Sequence, residues 1–458
     1  MPLAQVPGSG VDAPATPSAH HDRSHVWERS MTNSRPAAAT TRAGGALTAA
    51  LLLVALISPA ASEAHPRGQQ GEAERYVVTT DPGQAPSVEQ LRARGAEDVE
   101  PLRHAPDTVV VAASSRAAER IAGMQGVRLV EQDHILHVQH HRPDHCGGPA
   151  HRQPDHCHED PDEEPEEPEE PEEPGDGDGG DDGDSGGDDE LPWGITRIEA
   201  PAAWEHATGR DVAVCVADTG IDKDHEALPY VEGRNFTTTH PRGRNVQPDA
   251  YDDGNGHGTH VAGTVAARDA GAGVKGVAPD TELLVAKVLL DDGSGSTSQI
   301  IDGLHWCADA GADVINMSFG MTGTNSTLAA AMSDLAAQDV VLVAASGNNS
   351  GSSPLYPAAY PEVVAVGASD QDDEIASFSN RGEELNAPGV EVRSTFPGGY
   401  MTGSGTSMAS PHVAGVAALV LEAGAASSAD VREVLTDSAA TIADGLLVNA
   451  ANAVDSTR

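Results

Sequence analysis

Hydrophobic and polar positions change their pattern several times along the chain, and each pattern predicts a different structure. Arg75-Tyr76-Val77-Val78-Thr79 reads as a strand, Ser87 to Gly95 as a helix, and Thr108 to Ala112 as a strand. Arg116 to Met124 reads as a second helix and Val127 to Asp133 as a closing strand, which together make a small α+β unit. The run Val212-Ala213-Val214-Cys215-Val216-Ala217 is apolar without alternation, as in a parallel strand buried on both faces; it ends at Asp218, where Thr219-Gly220 turns. Asp252 to Gly256 is a turn leading into a helix of small residues, with His257 in its first turn. From Met408 onward Ala, Val and Gly recur at helical spacing, so Ser407 stands at the mouth of a buried helix, and Pro411 is expected in the first turn.

Between these folded stretches lie segments with no hydrophobic period. Glu163 to Pro174 repeats Glu-Glu-Pro and is followed by Gly-Asp repeats, a composition that stays extended and buries nothing. Residues 141–190 are therefore a linker, and its part from Glu159 to Glu190 holds 19 acidic residues and no basic one. The chain of 458 residues has a formal charge of −44; residues 191–458 carry 35 acidic and 13 basic side chains. Such an acidic surface excludes nucleic acid as a partner. Arg35 and Arg42 precede an apolar run, Leu47 to Ile57, and then small residues, as in a secretory signal. That run is too short for a permanent membrane span. The expected order is a disordered extension or mis-assigned start (1–30), a signal (31–64), the α+β unit (75–140), the linker (141–190) and a large domain (191–458).

Several cysteine and serine motifs admit bland readings. His141 to Cys146 and His151 to Cys157 are two similar His/Cys phrases that suit a metal, a local disulfide or neither. Cys215 and Cys307 read as buried small hydrophobes. Gly183-Asp184-Ser185-Gly186-Gly187 imitates a protease serine motif but lacks flanking strands and sits among acids.

The helix mouth at Ser407 is the stronger chemical signal. A hydroxyl there lies at the positive end of a helix dipole, beside N–H groups able to hold an oxyanion. Serine at a helix start is most often only a cap. A nucleophilic serine also needs an imidazole and an orienting carboxylate, for which His257 and Asp218 are the candidates. Asp-Thr-Gly also marks aspartic proteases, yet no second such loop follows an apolar strand; His260 reads as a packed helix histidine.

In the order Asp218, His257, Ser407 the sequence resembles the subtilisin-like serine peptidases. Pro192-Trp193-Gly194-Ile195, Gly276-Val277-Ala278-Pro279, Val314 to Ser318, Ala387-Pro388-Gly389 and Val448-Asn449-Ala450 extend the likeness from Leu191 to about Val454. The resemblance implies a three-layer α/β domain with a mostly parallel sheet and helices on both faces. A small ferredoxin-like α+β propeptide domain is implied before it, acting as folding chaperone and inhibitor. It further implies that Asn348, ending the strand Val340 to Ala345, donates to the oxyanion. Substrate would add as a strand against Ser294, Gly295, Ser318, Phe319 and Gly320, with Ala345 and Gly347 also binding substrate. Ala344-Ala345-Ser346 and the residues before Tyr356-Pro357 would line the specificity pocket. Leu355 is expected to raise that pocket's floor and favour medium apolar side chains. The implied protein is a secreted, monomeric endopeptidase acting on proteins or peptides, cut from its propeptide shortly before Leu191. No cofactor is needed for the chemistry. The resemblance also implies structural calcium on surface loops, with Asp252, Asp253, Asp370, Asp372 and Asp373 as candidate ligands but no assigned site. Two other readings stay open: a catalytically silent binding module, and a metal-binding surface protein that works through its linker.

Overall fold

In the computed structural model, the described residues are 73–139, 191–229, 231–237 and 247–458. The expectations for residues 1–64 and for the linker 141–190 lie outside them. The chain divides into units 1–67 and 68–458, and every described residue belongs to the second.

The small α+β unit comprises β1 (Glu74–Thr80), α1 (Val88–Ala93), β2 (Ala96–Pro101), β3 (Thr108–Ala113), α2 (Ser115–Ala122) and β4 (Val127–Gln132). Its antiparallel sheet has the order β2-β3-β1-β4. Val78, Val109 and Val111 of the sheet bury themselves under Leu91 of α1 and Ala117 and Ile121 of α2. Ser87 starts α1 through a capping box with Gln90, and Ser114 caps α2. β2 was not foreseen, because Ala96-Glu97-Asp98-Val99-Glu100-Pro101 is mostly polar. As an edge strand it hides little side chain and is recognised only by its pairing with β3. A further strand, β5 (Ile135–Val138), leaves this sheet and pairs elsewhere.

The large domain begins with α3 (Trp193–Arg197) and α4 (Ala200–Ala203). It continues through β6 (Ala213–Asp218), β7 (Val231–Asn235), α5 (His257–Ala266), β8 (Glu282–Lys287), β9 (Ser294–Ser296), α6 (Thr297–Asp309), β10 (Val314–Met317), β11 (Phe319–Gly320) and α7 (Ser326–Ala336). Then come β12 (Val341–Ala345), β13 (Val363–Ser369), β14 (Leu385–Pro388), the hairpin β15 (Val392–Phe396) and β16 (Gly399–Gly403), and α8 (Thr406–Ala423). The domain closes with α9 (Ser428–Asp437), β17 (Ala440–Ile442), β18 (Gly445–Leu447) and α10 (Ala450–Thr457). The central sheet has the order β17-β18-β14-β13-β12-β10-β6-β8-β7 and is parallel except where β17 meets β18.

Alternate residues of each central strand serve opposite cores, which is why these strands are apolar throughout. In β6, Val214 and Val216 join the core under α5 and α8, while Ala213, Cys215 and Ala217 join the one under α6 and α7. The three-layer α/β architecture follows. The strand order reverses at β6: the chain fills the β8–β7 side before returning to β10 and beyond. The carboxyl end of β6, where Asp218 stands, is therefore a topological switch point, where α/β sheets open a crevice.

Two expectations need correction. Cys215 of β6 and Cys307 of α6 are not separate thiols: they form a disulfide between the sheet and a covering helix, with Cα atoms 5.9 Å apart. Pro411 is not in the first turn, because α8 begins at Thr406 and the proline lies inside the helix. Among the described residues no single helix is long and apolar enough to cross a membrane.

Candidate active site

Asp218 ends β6 fully buried, and its Oδ1 accepts hydrogen bonds from the Thr219 N–H and from Nδ1 of His257, both at 2.7 Å. A carboxylate only accepts, so the imidazole proton sits on Nδ1 and leaves Nε2 with its lone pair. His257 is the first residue of α5, entered through Gly256 at φ +98°, a conformation that favours glycine.

Asp253 fastens the two loops together. Its carboxylate accepts from Thr219 Oγ1 (2.8 Å), the N–H groups of Asn255 (3.1 Å), Gly256 (2.8 Å) and Thr259 (2.8 Å), and Thr259 Oγ1 (2.7 Å). Thr219 Oγ1 in turn accepts from the Gly258 N–H at 2.9 Å. The buried Lys287 ammonium donates to the Thr219 carbonyl and, at 2.7 Å, to Asp291. Asp253 is thus occupied as a loop organiser, which its position in the sequence did not reveal.

Ser407 is the second residue of α8, where the backbone N–H has no partner within the helix. Its Oγ donates to the Ser318 carbonyl at 2.9 Å. Asn348 lies alongside: its Oδ1 accepts from the Thr406 N–H (2.9 Å) and Thr406 Oγ1 (3.0 Å), which fixes the amide. The Asn348 Nδ2 is buried without a hydrogen-bond partner. Gly347, at φ +110°, gives its N–H to Thr406 Oγ1 at 3.1 Å, so the end of β12 is tied to the start of α8.

The strand β5 occupies the groove between β9 and β11, antiparallel to both. Leu136 pairs with Gly295, and His137 with both Ser294 and Gly320, while Val138 pairs with Phe319. The Val138 N–H donates to Gly293 O (3.0 Å) and the Gln139 N–H to Ser318 O (3.1 Å). The Gln139 carbonyl then accepts the Ser407 N–H at 3.1 Å. Ser294, Gly295, Ser318, Phe319 and Gly320 therefore all line a groove that already holds a strand. Leu355 packs against Gly320 and Gly347, and a Cβ on Gly347 would meet its Cγ at 2.7 Å. Ala345 is buried at the end of β12.

Two acidic residues of the small unit seat it on the large domain. Glu131 accepts from the Ser326 and Thr327 N–H groups at the start of α7, at 3.1 and 2.9 Å. Asp133 accepts from the Ser298 N–H and hydroxyl at the start of α6, at 2.9 and 2.8 Å. Carboxylates at helix starts satisfy orphan N–H groups and complement the helix dipole. These contacts, β5 and Gln139 escaped sequence reasoning, although Ile135-Leu136-His137-Val138 does form a short strand-like run before the linker.

Two other fully buried imidazoles stand apart from this constellation. His260, three residues along α5, donates from Nε2 to Val392 O at 3.0 Å, and burial pushes its pKa down to about 4. His412 donates from Nδ1 to Met408 O at 2.9 Å, and burial likewise brings it to about 4. The candidate calcium ligands do not come together. Asp252 pairs with Lys223 at 2.9 Å, Arg197 clasps Asp373 at 2.6 and 2.7 Å, and Asp370 takes the Asp372 and Glu374 N–H groups. Among the described residues no three His, Cys, Asp or Glu side chains are grouped to hold a metal.

A sequence profile described as the subtilase family matches residues 209–455. The chain is 49% identical over 234 residues to M-protease of Shouchella clausii (strain KSM-K16) and 48% identical over 234 residues to Subtilisin BL of Lederbergia lenta. It is 46% identical over 240 residues to Subtilisin E of Bacillus subtilis (strain 168). Each alignment takes in 50% of this chain, and 59%, 84% and 61% of those proteins in turn. The chain thus spans less than two thirds of M-protease and Subtilisin E.

Proposed function

The chain belongs to the subtilase family of serine endopeptidases, and from that premise we propose that it is a secreted, self-processing zymogen that cleaves proteins or peptides through Asp218, His257 and Ser407. Ser407 Oγ attacks the scissile carbonyl while His257 Nε2 takes its proton. Asp218 holds the imidazole in the needed tautomer and stabilises the imidazolium that forms. The Ser407 N–H and the Asn348 amide receive the negative charge that develops on oxygen. The imidazolium then protonates the leaving amine, and water releases the acyl-enzyme by the same route. No metal enters these steps.

One observation carries the reading: a main-chain carbonyl, that of Gln139, rests on the Ser407 N–H while its strand fills the groove. The same arrangement supports the view that the unit at 75–140 is an inhibitor, since a strand in the groove excludes substrate. Its role as folding template has a physical basis, because parallel sheets require non-local pairing and fold slowly. Export is supported by the signal-like run Leu47 to Ile57 and by the Cys215–Cys307 bond, which suits an oxidising compartment.

A fluorophosphonate probe tests the assignment. Ser407 is expected to be labelled in the processed protein, and labelling should vanish in Ser407→Ala. An unlabelled, correctly folded protein would instead be a binding module. Asn348→Ala is expected to lower kcat by about a hundred- to a thousand-fold, a magnitude known from subtilisin itself rather than obtained from this geometry. Peptide profiling checks the pocket: Leu355→Gly should raise kcat/KM for phenylalanine substrates relative to alanine ones by about ten-fold or more. A wild-type preference for tyrosine or phenylalanine would reject the shallow pocket.

A further inference from the structure

We propose that the first bond this enzyme cuts is its own Gln139–His140 bond, so that the acidic segment 140–190 leaves with the catalytic domain and not with the inhibitor. The inference rests on the catalytic reading above and adds to it the substrate and the order of events. It also replaces the expectation, stated with the family resemblance, of a cut shortly before Leu191.

The register fixes the bond. β5 is held on both sides by main-chain pairing, so it cannot slide by one residue without exchanging the faces of its side chains. Leu136 is fully buried whereas Ile135 is 51% exposed, so a slip would expose one apolar side chain and force the other into a matched site. In this register Gln139 O, and no other carbonyl of the strand, receives the Ser407 N–H. The Gln139 side chain folds along the groove wall, with Nε2 donating to His137 O at 3.0 Å. Upstream, Asp133 on α6 and Glu131 on α7 anchor the strand only a few residues away, which leaves no slack to advance the chain. A bond near Leu191 would have to displace all of these contacts before it could be cut.

The chemistry balances without a further reagent. Ser407 Oγ bonds to the Gln139 carbonyl carbon and gives its proton to His257. The C–N bond to His140 then breaks, and the imidazolium proton passes to the new amine. Water hydrolyses the Gln139 ester, leaving a carboxylate on the inhibitor and restoring the serine. The product enzyme begins with His140 and carries both His/Cys phrases and the Glu-Glu-Pro run.

The test follows purified full-length precursor refolding from denaturant, sampled over time by intact mass and N-terminal sequencing, with fluorophosphonate labelling of each species. The expected first products are an inhibitor fragment ending at Gln139 and a chain beginning at His140 that is labelled once that fragment is separated from it, with any shorter chain arising later. A labelled first product beginning near Leu191 would overturn this inference while leaving the catalytic assignment standing. Absence of labelling in every species would overturn the assignment itself. Ser407→Ala precursor should remain whole; cleavage of it at Gln139 under the same conditions would show that another agent makes the cut and would also overturn the proposal. Should that variant fail to refold, the termini of the wild-type products decide alone.

Discussion

At the scale of single residues, Pro411 explains an interaction that its sequence position alone leaves obscure. A proline inside a helix has no N–H for the carbonyl four residues earlier, and here that carbonyl belongs to Ser407. Ser318 Oγ stands 3.0 Å from it and 2.8 Å from Ser410 Oγ, and accepts from Asn316 Nδ2 at 3.0 Å. If Ser410 donates to Ser318, the Ser318 hydroxyl gives its proton to the Ser407 carbonyl and both of its lone pairs are used. Ser318 thus holds Ser407 from its side chain and Gln139 from its own carbonyl. Removing the hydroxyl strands a buried carbonyl, worth about 1–3 kcal/mol. Ser318→Ala is therefore expected to lower kcat per titrated active site roughly ten-fold or more, with KM changed less than about two-fold because the main-chain contact survives. A variant that loses thermal stability but keeps kcat per titrated site would mean that Ser318 only supports the fold.

At the scale of elements, the disulfide joins the strand that ends in Asp218 to the helix whose start Asp133 caps. The cysteines are 92 residues apart in sequence, so the bond restricts a large loop of the unfolded chain. Replacing both by alanine in a Ser407→Ala background is expected to lower unfolding free energy by about 2–5 kcal/mol, measured by guanidinium denaturation. An unchanged midpoint would show that the pair contributes nothing beyond packing. Elements also differ in how plainly the sequence announced them. β6 and α8 were evident because full burial leaves an unbroken apolar run. β2 and β5 were not, since one is a polar edge strand and the other is a strand only because β9 and β11 flank it.

At the scale of the whole molecule, burial of His260 and His412 makes stability depend on pH. Both are neutral when folded down to about pH 4 but titrate near 6.5 when unfolded. Between those values the unfolded chain binds more protons, so stability is full above about pH 6.5 and declines as pH falls toward 4. Each histidine accounts for about 3 kcal/mol over that window. Denaturation of Ser407→Ala protein at several pH values should show this decline, and adding His412→Gln should flatten it by about half. An equally steep profile in the double variant would place the titrating groups elsewhere.

The sequence by itself determined the class of the molecule: apolar runs without alternation demand a buried parallel sheet, and the motifs around Asp218, His257, Asn348 and Ser407 mark the family. It also set the expectation that residues 141–190, rich in acids and prolines with little to bury, form a linker. Only the tertiary structure decided that Cys215 meets Cys307, that Asp253 is spent on N–H groups, and which carbonyl lies on the Ser407 N–H. Those outcomes depend on pairings between residues far apart in the chain, and local pattern carries no record of distance in space.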